Sequence, residues 1–244
     1  MTNSPSFPVI AKYIASCGVA SRRAALELVR AGRTAVNGVP VKDPSFRVGN
    51  GDEVTVDGRI VTPEPVKYHV MLNKPRGYTC TSADPHAARR AVDLIDLPVR
   101  LVSAGRLDKD SEGLIIFSND GEYVNRLGHP SFDVRKTYHV RLDRELSAGE
   151  LATLRNGIEE GGEFLHPEAV ERIGERLYAF TLNEGRNREI RRMAAFLGAG
   201  VKRLVRVSVG RLRLGSLPPG KWRLLTSEEV AASTAPAGTP LPET

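Results

Sequence analysis

SAGRLDKDSEGLIIFSNDGEYVNRLGHP, residues 103–130, is the stretch that decides how the larger part of this chain folds. It sets Asp108 after a strand-forming run, follows it with Lys109, Asp110 and Glu112, and then gives the apolar run Leu114 to Phe117. A loop between strands is where a rigid scaffold can present a reactive group. By residue type alone Asp108 is not singled out. Asp110, Glu112 and Asp120 are equal rivals, and an aspartate in such a segment more often holds a turn by bonding its own backbone.

Outward from this stretch, residues 66 to about 226 alternate strands with short helices, and Ser147 with Glu150 predicts a capping box ahead of LATLRNG. This is an α+β pattern rather than a regular βαβ repeat. The first sixty residues read differently. A helix is predicted from Val9 to Ser16, ending near Gly18, and a second over SRRAALELVRAG, with Ser21 as its cap and Gly32 as its left-handed stop. Ala25, Leu28 and Val29 fall on one face of the second helix, and Arg22, Arg23, Arg30 and Arg33 sit around its ends. TAVNGVPV and EVTVDGRIV each predict a hairpin, turned at Asn37-Gly38 and at Asp57-Gly58. Pro63-Glu64-Pro65 is a stiff extended stretch of the kind that joins folded pieces. The expected organisation is therefore a small domain over 8–62, a linker at 63–65, a larger domain over 66–228 and a disordered tail from 231 to 244, rich in Ala, Ser, Thr and Pro.

The chain of 244 residues has 41% hydrophobic content, enough to bury a core, and a net charge of +6, which favours a polyanionic partner. From Arg176 to Arg213 there are ten Lys or Arg and only two acids, Glu184 and Glu189, making that stretch a candidate phosphate-facing surface. Cys17 and Cys80 stand alone, and His86, His129, His139 and His166 form no ligand spacing with one another or with cysteine, so no metal is expected. Two isolated cysteines fit a reducing compartment, and no basic leader or long apolar run is visible. A soluble, cytoplasmic protein that does not engage a membrane is expected.

KYIASCGVASRRAALELVRAGRTAVNG, from Lys12 to Gly38, resembles the αL RNA-binding fold of a small-subunit ribosomal protein (S4-like) and of tyrosyl-tRNA synthetases. The resemblance implies that Arg22, Arg23, Arg30 and Arg33 meet a phosphodiester backbone and position RNA without reading bases. An Arg usual in that fold is replaced here by Val9.

MLNKPRGYTCT at 71–81, the stretch at 103–130, VRKTYHVRL at 134–142 and NEGRNREIRRM at 183–193 follow one another in the order seen in pseudouridine synthases of the ribosomal small-subunit type and their large-subunit relatives (RsuA/RluB type). The chain resembles this family from Lys12 to about Leu225, and the 103–130 and 185–193 segments are nearest the large-subunit branch. The resemblance implies a catalytic domain with a mixed, mostly antiparallel sheet flanked by helices. It makes Asp108 the catalytic carboxylate, which attacks carbon 1′ of a flipped uridine or removes the 2′ proton, so that uracil is released, turned and rejoined through carbon 5 without metal or redox cofactor. It gives Arg191 the task of holding that carboxylate bidentately, with Ile190 packing under the base, and Tyr138 the task of stacking on uracil and helping to exchange the proton on carbon 5. Read as helix residues alone, Arg188, Arg191 and Arg192 would be a solvated or phosphate-facing set.

By motif, Lys74 has a structural or phosphate-positioning role, Lys136 and Arg106 lie beside the site against the flanking backbone, and His129-Pro130 is a helix-ending turn. The implied partner is ribosomal RNA or a pre-ribosomal particle, and the implied state is a monomer. Ala87 to Ala91 depart from the family's usual Gly-Arg-Pro-Thr-Val. Competing readings are a small-subunit target, a non-catalytic ribosome-assembly factor and a nucleosidase that releases uracil.

Overall fold

The structure, a computed structural model, describes residues 7–81 and 89–235. The chain divides into two compact units: one takes residues through Tyr68 with Pro98–Arg100 and Asn119–Gly121, the other takes the rest.

The first unit holds helices α1 (Ile10–Ser16) and α2 (Arg22–Arg30) and strands β1 (Thr34–Val36), β2 (Val39–Pro40), β3 (Val54–Val56) and β4 (Arg59–Ile60). The Ser21 hydroxyl accepts the Ala24 N–H at the start of α2, satisfying a donor the helix leaves free. Asn37 and Gly38 have φ of 51° and 77°, and Asp57 and Gly58 have 50° and 73°, the left-handed pairs that two-residue hairpin turns require. The strands pair antiparallel in the order β2-β1-β3-β4. Ile10, Ile14, Ala25, Val29, Val36 and Val54 form the core, with Leu28 at its margin. Pro63-Glu64-Pro65 is not a free linker: the Glu64 N–H donates to Ser16 O at 3.2 Å.

The second unit runs β5 (His69–Lys74), β6 (Val102–Ala104), β7 (Glu112–Ser118), α3 (Gly121–Gly128), β8 (Lys136–Leu142), α4 (Ala148–Asn156), β9 (Ile158–Glu160), β10 (Glu163–Leu165), β11 (Ala169–Gly174), β12 (Leu177–Leu182), α5 (Glu189–Phe196), β13 (Val201–Val209), β14 (Leu212–Arg213), β15 (Trp222–Leu224) and α6 (Ser227–Thr234). The main sheet is ordered β11-β12-β8-β13-β7-β5-β15, with β14 on β13 and β6 on β7. β13 and β7 are parallel and its other pairs antiparallel. The sequence-based expectation of a mixed, mostly antiparallel sheet therefore holds.

The register around β7 positions the rest. β5 occupies one edge along 113–118. On the other edge β6 takes 116–118 and β13 takes 112–113. The loop from Gly105 to Ser111, which joins β6 back to β7, thus emerges beside β13. Leu114, Ile115, Ile116 and Phe117 alternate between the two faces of β7 and all are buried, so both faces are covered, which explains an unbroken apolar run where alternation would mark a half-exposed strand. Each such side chain contributes about 1.5–3 kcal/mol by burial. Gly113 is required where β7 meets β13: its φ is 104°, and a Cβ there would lie 2.3 Å from Arg206 O.

The capping box at Ser147 and Glu150 opens α4 as expected. The expected tail is corrected: α6 runs to Thr234, opened by a second capping box of Thr226 and Glu229 and anchored where the Tyr123 hydroxyl meets the Ser233 hydroxyl at 2.7 Å. Small residues there serve close packing, not disorder. The rest of that tail, 236–244, and residues 82–88, including Ala87 and Ala88, lie outside the described residues. Among the described residues no helix is long and apolar enough to cross a membrane.

Candidate active site

A cavity of about 860 Å³ opens in the second unit where the 105–111 loop, β8, β13 and the start of α5 converge. Asp108, Tyr138, Ile190, Arg191, Arg106 and Lys136 all line it. Six sequence-predicted residues, drawn from three separate segments, are thereby brought together.

Asp108 sits in the loop with its side chain 42% exposed. Its backbone carbonyl accepts the Ser111 N–H at 3.0 Å, while its carboxylate oxygens accept no hydrogen bond from the described residues. The turn is thus closed by main chain, and the carboxylate is left available. The rivals are placed elsewhere. Asp110 lies off the cavity wall with Arg76 Nε at 3.8 Å, Glu112 accepts Arg203 Nε at 2.5 Å, and Asp120 is not part of the wall.

The expected Arg191 fork on Asp108 is not formed. The Arg191 Nη2 donates to Asp110 O at 3.2 Å, and its Nε is buried without a partner. The cation nearest Asp108 is Arg188, whose Nη1 stands 4.0 Å from Oδ2. Arg188 is the N-cap of α5 with a left-handed φ of 51°, and so stands outside the helical series of Arg191 and Arg192. Burial and the Arg188 charge push the Arg191 guanidinium below its ordinary pKa, and Asp108 and Asp110 oppose this. Arg192 is not solvated either. It is clamped by Glu160 and Glu163 and donates to Glu160 O at 2.6 Å, tying α5 to the β9–β10 hairpin.

Tyr138 is 7% exposed, on the β8 face that looks into the cavity, with Ile190 buried in the same wall. Lys136, two residues before Tyr138, has its pKa lowered to about 8, first by burial and then by Arg206, with Asp133 opposing. Of the two roles expected of Lys74, structural or phosphate-positioning, its placement favours the first: it is fully buried and off the cavity wall, and its Nζ donates to Tyr78 O at 2.7 Å and Pro75 O at 3.1 Å, which turns the ammonium to backbone carbonyls rather than to substrate. His129 caps a short turn through Nδ1, which accepts the Ser131 N–H at 3.2 Å.

Two residues of the wall were not singled out from sequence. Arg206, 3% exposed, donates from Nε to Leu114 O at 2.7 Å, and its Nη2 is buried unpaired. The signal was available: Leu204, Arg206 and Ser208 alternate inward on β13, so a basic residue stands at a core position. Glu189, also 3% exposed, accepts the Arg186 N–H at 3.1 Å and leaves Oε1 buried and unpaired; burial raises its pKa. No local pattern marks it.

In the first unit Arg22 and Arg23 are exposed at the start of α2. Arg30 instead meets Glu27 at 3.1 Å, and Arg33 forks onto Asp57 at 2.7 and 2.6 Å. Among the described residues Arg22 and Arg23 have no such partner. Among the described residues no group of three His, Cys, Asp or Glu is gathered to hold a metal.

Comparison with known proteins accords with this geometry. The family model for RNA pseudouridylate synthase matches residues 68–196, and that for the S4 domain matches residues 10–54. The chain is 37% identical over 229 residues to an RNA pseudouridine synthase of Aquifex aeolicus, covering 91% of this chain and 92% of that one. It is 35% identical over 229 residues to the ribosomal large subunit pseudouridine synthase B of Bacillus subtilis, covering 90% and 92%. A crystal structure of a pseudouridylate synthase superposes with a TM-score of 0.69 at 30% identity, covering 92% and 99%. Fold and cavity therefore define an RNA-modifying isomerase. The chain belongs to the RNA pseudouridylate synthase family, with an S4 domain ahead of its catalytic domain.

Proposed function

We propose that this protein converts a uridine of large-subunit ribosomal RNA to pseudouridine, with Asp108 as the catalytic carboxylate. The observation that carries the assignment is that Asp108 is the aspartate on the cavity wall, accessible and without a hydrogen-bond donor of its own among the described residues. The large-subunit target is supported by likeness to the Bacillus subtilis and Haemophilus influenzae large-subunit enzymes.

In this reading Arg22 and Arg23 dock the RNA backbone, and Arg106 receives the strand beside the flipped nucleotide. Tyr138 stacks on uracil, a contact worth about 1–3 kcal/mol, and Ile190 supports the other side of the base. Asp108 breaks the bond between carbon 1′ and nitrogen 1, by attack on carbon 1′ or by taking the 2′ proton. Arg188 and Arg191 keep its charge favourable as water is excluded. Uracil turns and rejoins through carbon 5. The change is internal to the nucleotide, and the protein acts as a monomer in the cytoplasm.

The test is to map pseudouridines in ribosomal RNA from cells with and without the protein, and in large-subunit RNA incubated with the purified protein after exhaustive chelation and refolding in magnesium. One large-subunit position should depend on the protein in both. A position in the small subunit would move the target, free uracil would make the protein a nucleosidase, and unchanged maps would leave an assembly factor.

A further inference from the structure

Lys136 and Tyr138 are two residues apart on β8, so both side chains leave the same face of the sheet, and both line the cavity that holds Asp108. Lys136 is half-buried there and makes no hydrogen bond or ion pair with the other described residues. A lysine in such a place is ordinarily neutralised by a carboxylate. Here the charged groups that act on it are Arg206 from β13 and Asp133 from the turn ahead of β8, and the cavity wall also carries Arg106, Asp108 and Lys109 from the loop and Arg186, Arg188, Glu189 and Arg191 at the start of α5. Arg206 is the more buried, and its unpaired Nη2 has no carboxylate to offset it. Two buried cations penalise each other's charge, and the flexible amine, not the guanidinium, is the one that can give up its proton.

The isomerisation needs a base after the new bond forms. When uracil has rejoined carbon 1′ through carbon 5, that carbon still carries its hydrogen. Forming that bond frees Asp108 as a carboxylate, a far weaker base than an amine, and the Tyr138 phenol must ionise before it can accept a proton. Resting on the isomerase reading of the cavity, we propose that Lys136 is a further catalytic residue: its neutral amine removes the proton from carbon 5. The electron pair of the carbon–hydrogen bond forms the double bond between carbons 5 and 6. The π pair of the double bond between carbon 6 and nitrogen 1 moves onto nitrogen 1, the ring staying closed, and nitrogen 1 takes a proton back from the Lys136 ammonium directly or through water. No net proton is gained or lost. With its pKa lowered to about 8, the amine is partly neutral at physiological pH, the range in which a general base is most effective.

The experiment uses full-length protein and large-subunit RNA transcribed with ordinary or 5-deuterated uridine, in single turnover. The parental rate on ordinary RNA reports the isomerase reading separately. Above about pH 8, where the parent's amine is neutral, Lys136→Met should slow product formation ~10²-fold or more and give a primary deuterium isotope effect that the parent lacks there, because proton removal becomes limiting. A slowed variant without an isotope effect, a change in KM alone, as a phosphate contact would give, or an undiminished rate would each overturn the assignment. Should the variant misfold, the parent decides. Its isotope effect should grow as pH falls below about 8 and the amine protonates. An effect that stays flat across that range would overturn the proposal.

Discussion

Replacing Lys74 with Met removes a fully buried ammonium from the end of β5. Its Nζ donates to Tyr78 O at 2.7 Å and to Pro75 O at 3.1 Å, while Lys109 O at 3.5 Å is too distant to count as a full bond. Stranding two part-buried carbonyls costs about 1–3 kcal/mol each. Against this, Met keeps the volume and relieves a desolvated charge, which returns a few kcal/mol. The net expectation is a loss of ~1–3 kcal/mol, read by urea unfolding with an unchanged m-value. The pH dependence carries a sign. Burial lowers the Lys74 pKa, so the unfolded chain keeps its proton to higher pH than the folded one. Stability therefore rises with pH between the two values, and the Met variant should lack that slope. A variant as stable as the parent to within ~0.5 kcal/mol would refute the bracing role.

Gly113→Ala should cost ~3 kcal/mol or more and show a clear fall in Tm, because the added Cβ meets Arg206 backbone in a strand that cannot yield; a small change would mean that β13 shifts freely. Arg22→Ala with Arg23→Ala should lower the slope of log affinity against log salt for structured RNA by about 1–2, with Tm unchanged, and an unaltered slope would remove these residues from the RNA surface. Arg192→Met should strand Glu160 and Glu163 and speed hydrogen exchange across 158–165, while exchange at the parental rate would deny the clamp a role in ordering the hairpin.

What could be read in the sequence was what is decided locally. Ser21 and Ser147 cap helices because a hydroxyl and an amide a turn away suffice, and Asn37-Gly38 and Asp57-Gly58 turn hairpins because two left-handed residues suffice. The gathering of Asp108, Tyr138, Ile190 and Arg191 was legible only through family resemblance, since their segments meet through strand pairings far apart in sequence. The choice between the two roles of Lys74 was not legible, because its motif position says nothing of which carbonyls surround it. Arg191 misled because a guanidinium can choose between a carboxylate and a backbone oxygen, and motif position does not say which; here it donates to Asp110 O. Ala231 to Thr234 misled because composition argued for disorder, while a capping box and the Tyr123–Ser233 contact fold them.

Asp108→Asn separates chemistry from architecture. The side chain is 42% exposed, its oxygens accept no hydrogen bond among the described residues, and Arg188 at 4.0 Å is half-exposed as well. A pair so open to solvent contributes little to folding, so the variant should match the parent in urea unfolding to within ~0.5 kcal/mol. Its affinity for RNA should hold or rise slightly, because one negative charge leaves a basic wall. Turnover should nevertheless vanish, since an amide is neither nucleophile nor base. Asp110→Asn and Glu112→Gln set the contrast. Asp110 lies off the cavity wall beside Arg76 and Glu112 is paired with Arg203, so both changes should leave much of the activity. Near-parental pseudouridine formation by Asp108→Asn in single turnover would remove Asp108 from the mechanism. Unfolding of that variant would instead mean that the carboxylate holds the 105–111 loop, and inactivity would then say nothing about chemistry. Only a folded, RNA-binding and inactive Asp108→Asn, beside an active Asp110→Asn, makes position on the cavity wall, rather than negative charge in the loop, the property that the reaction requires.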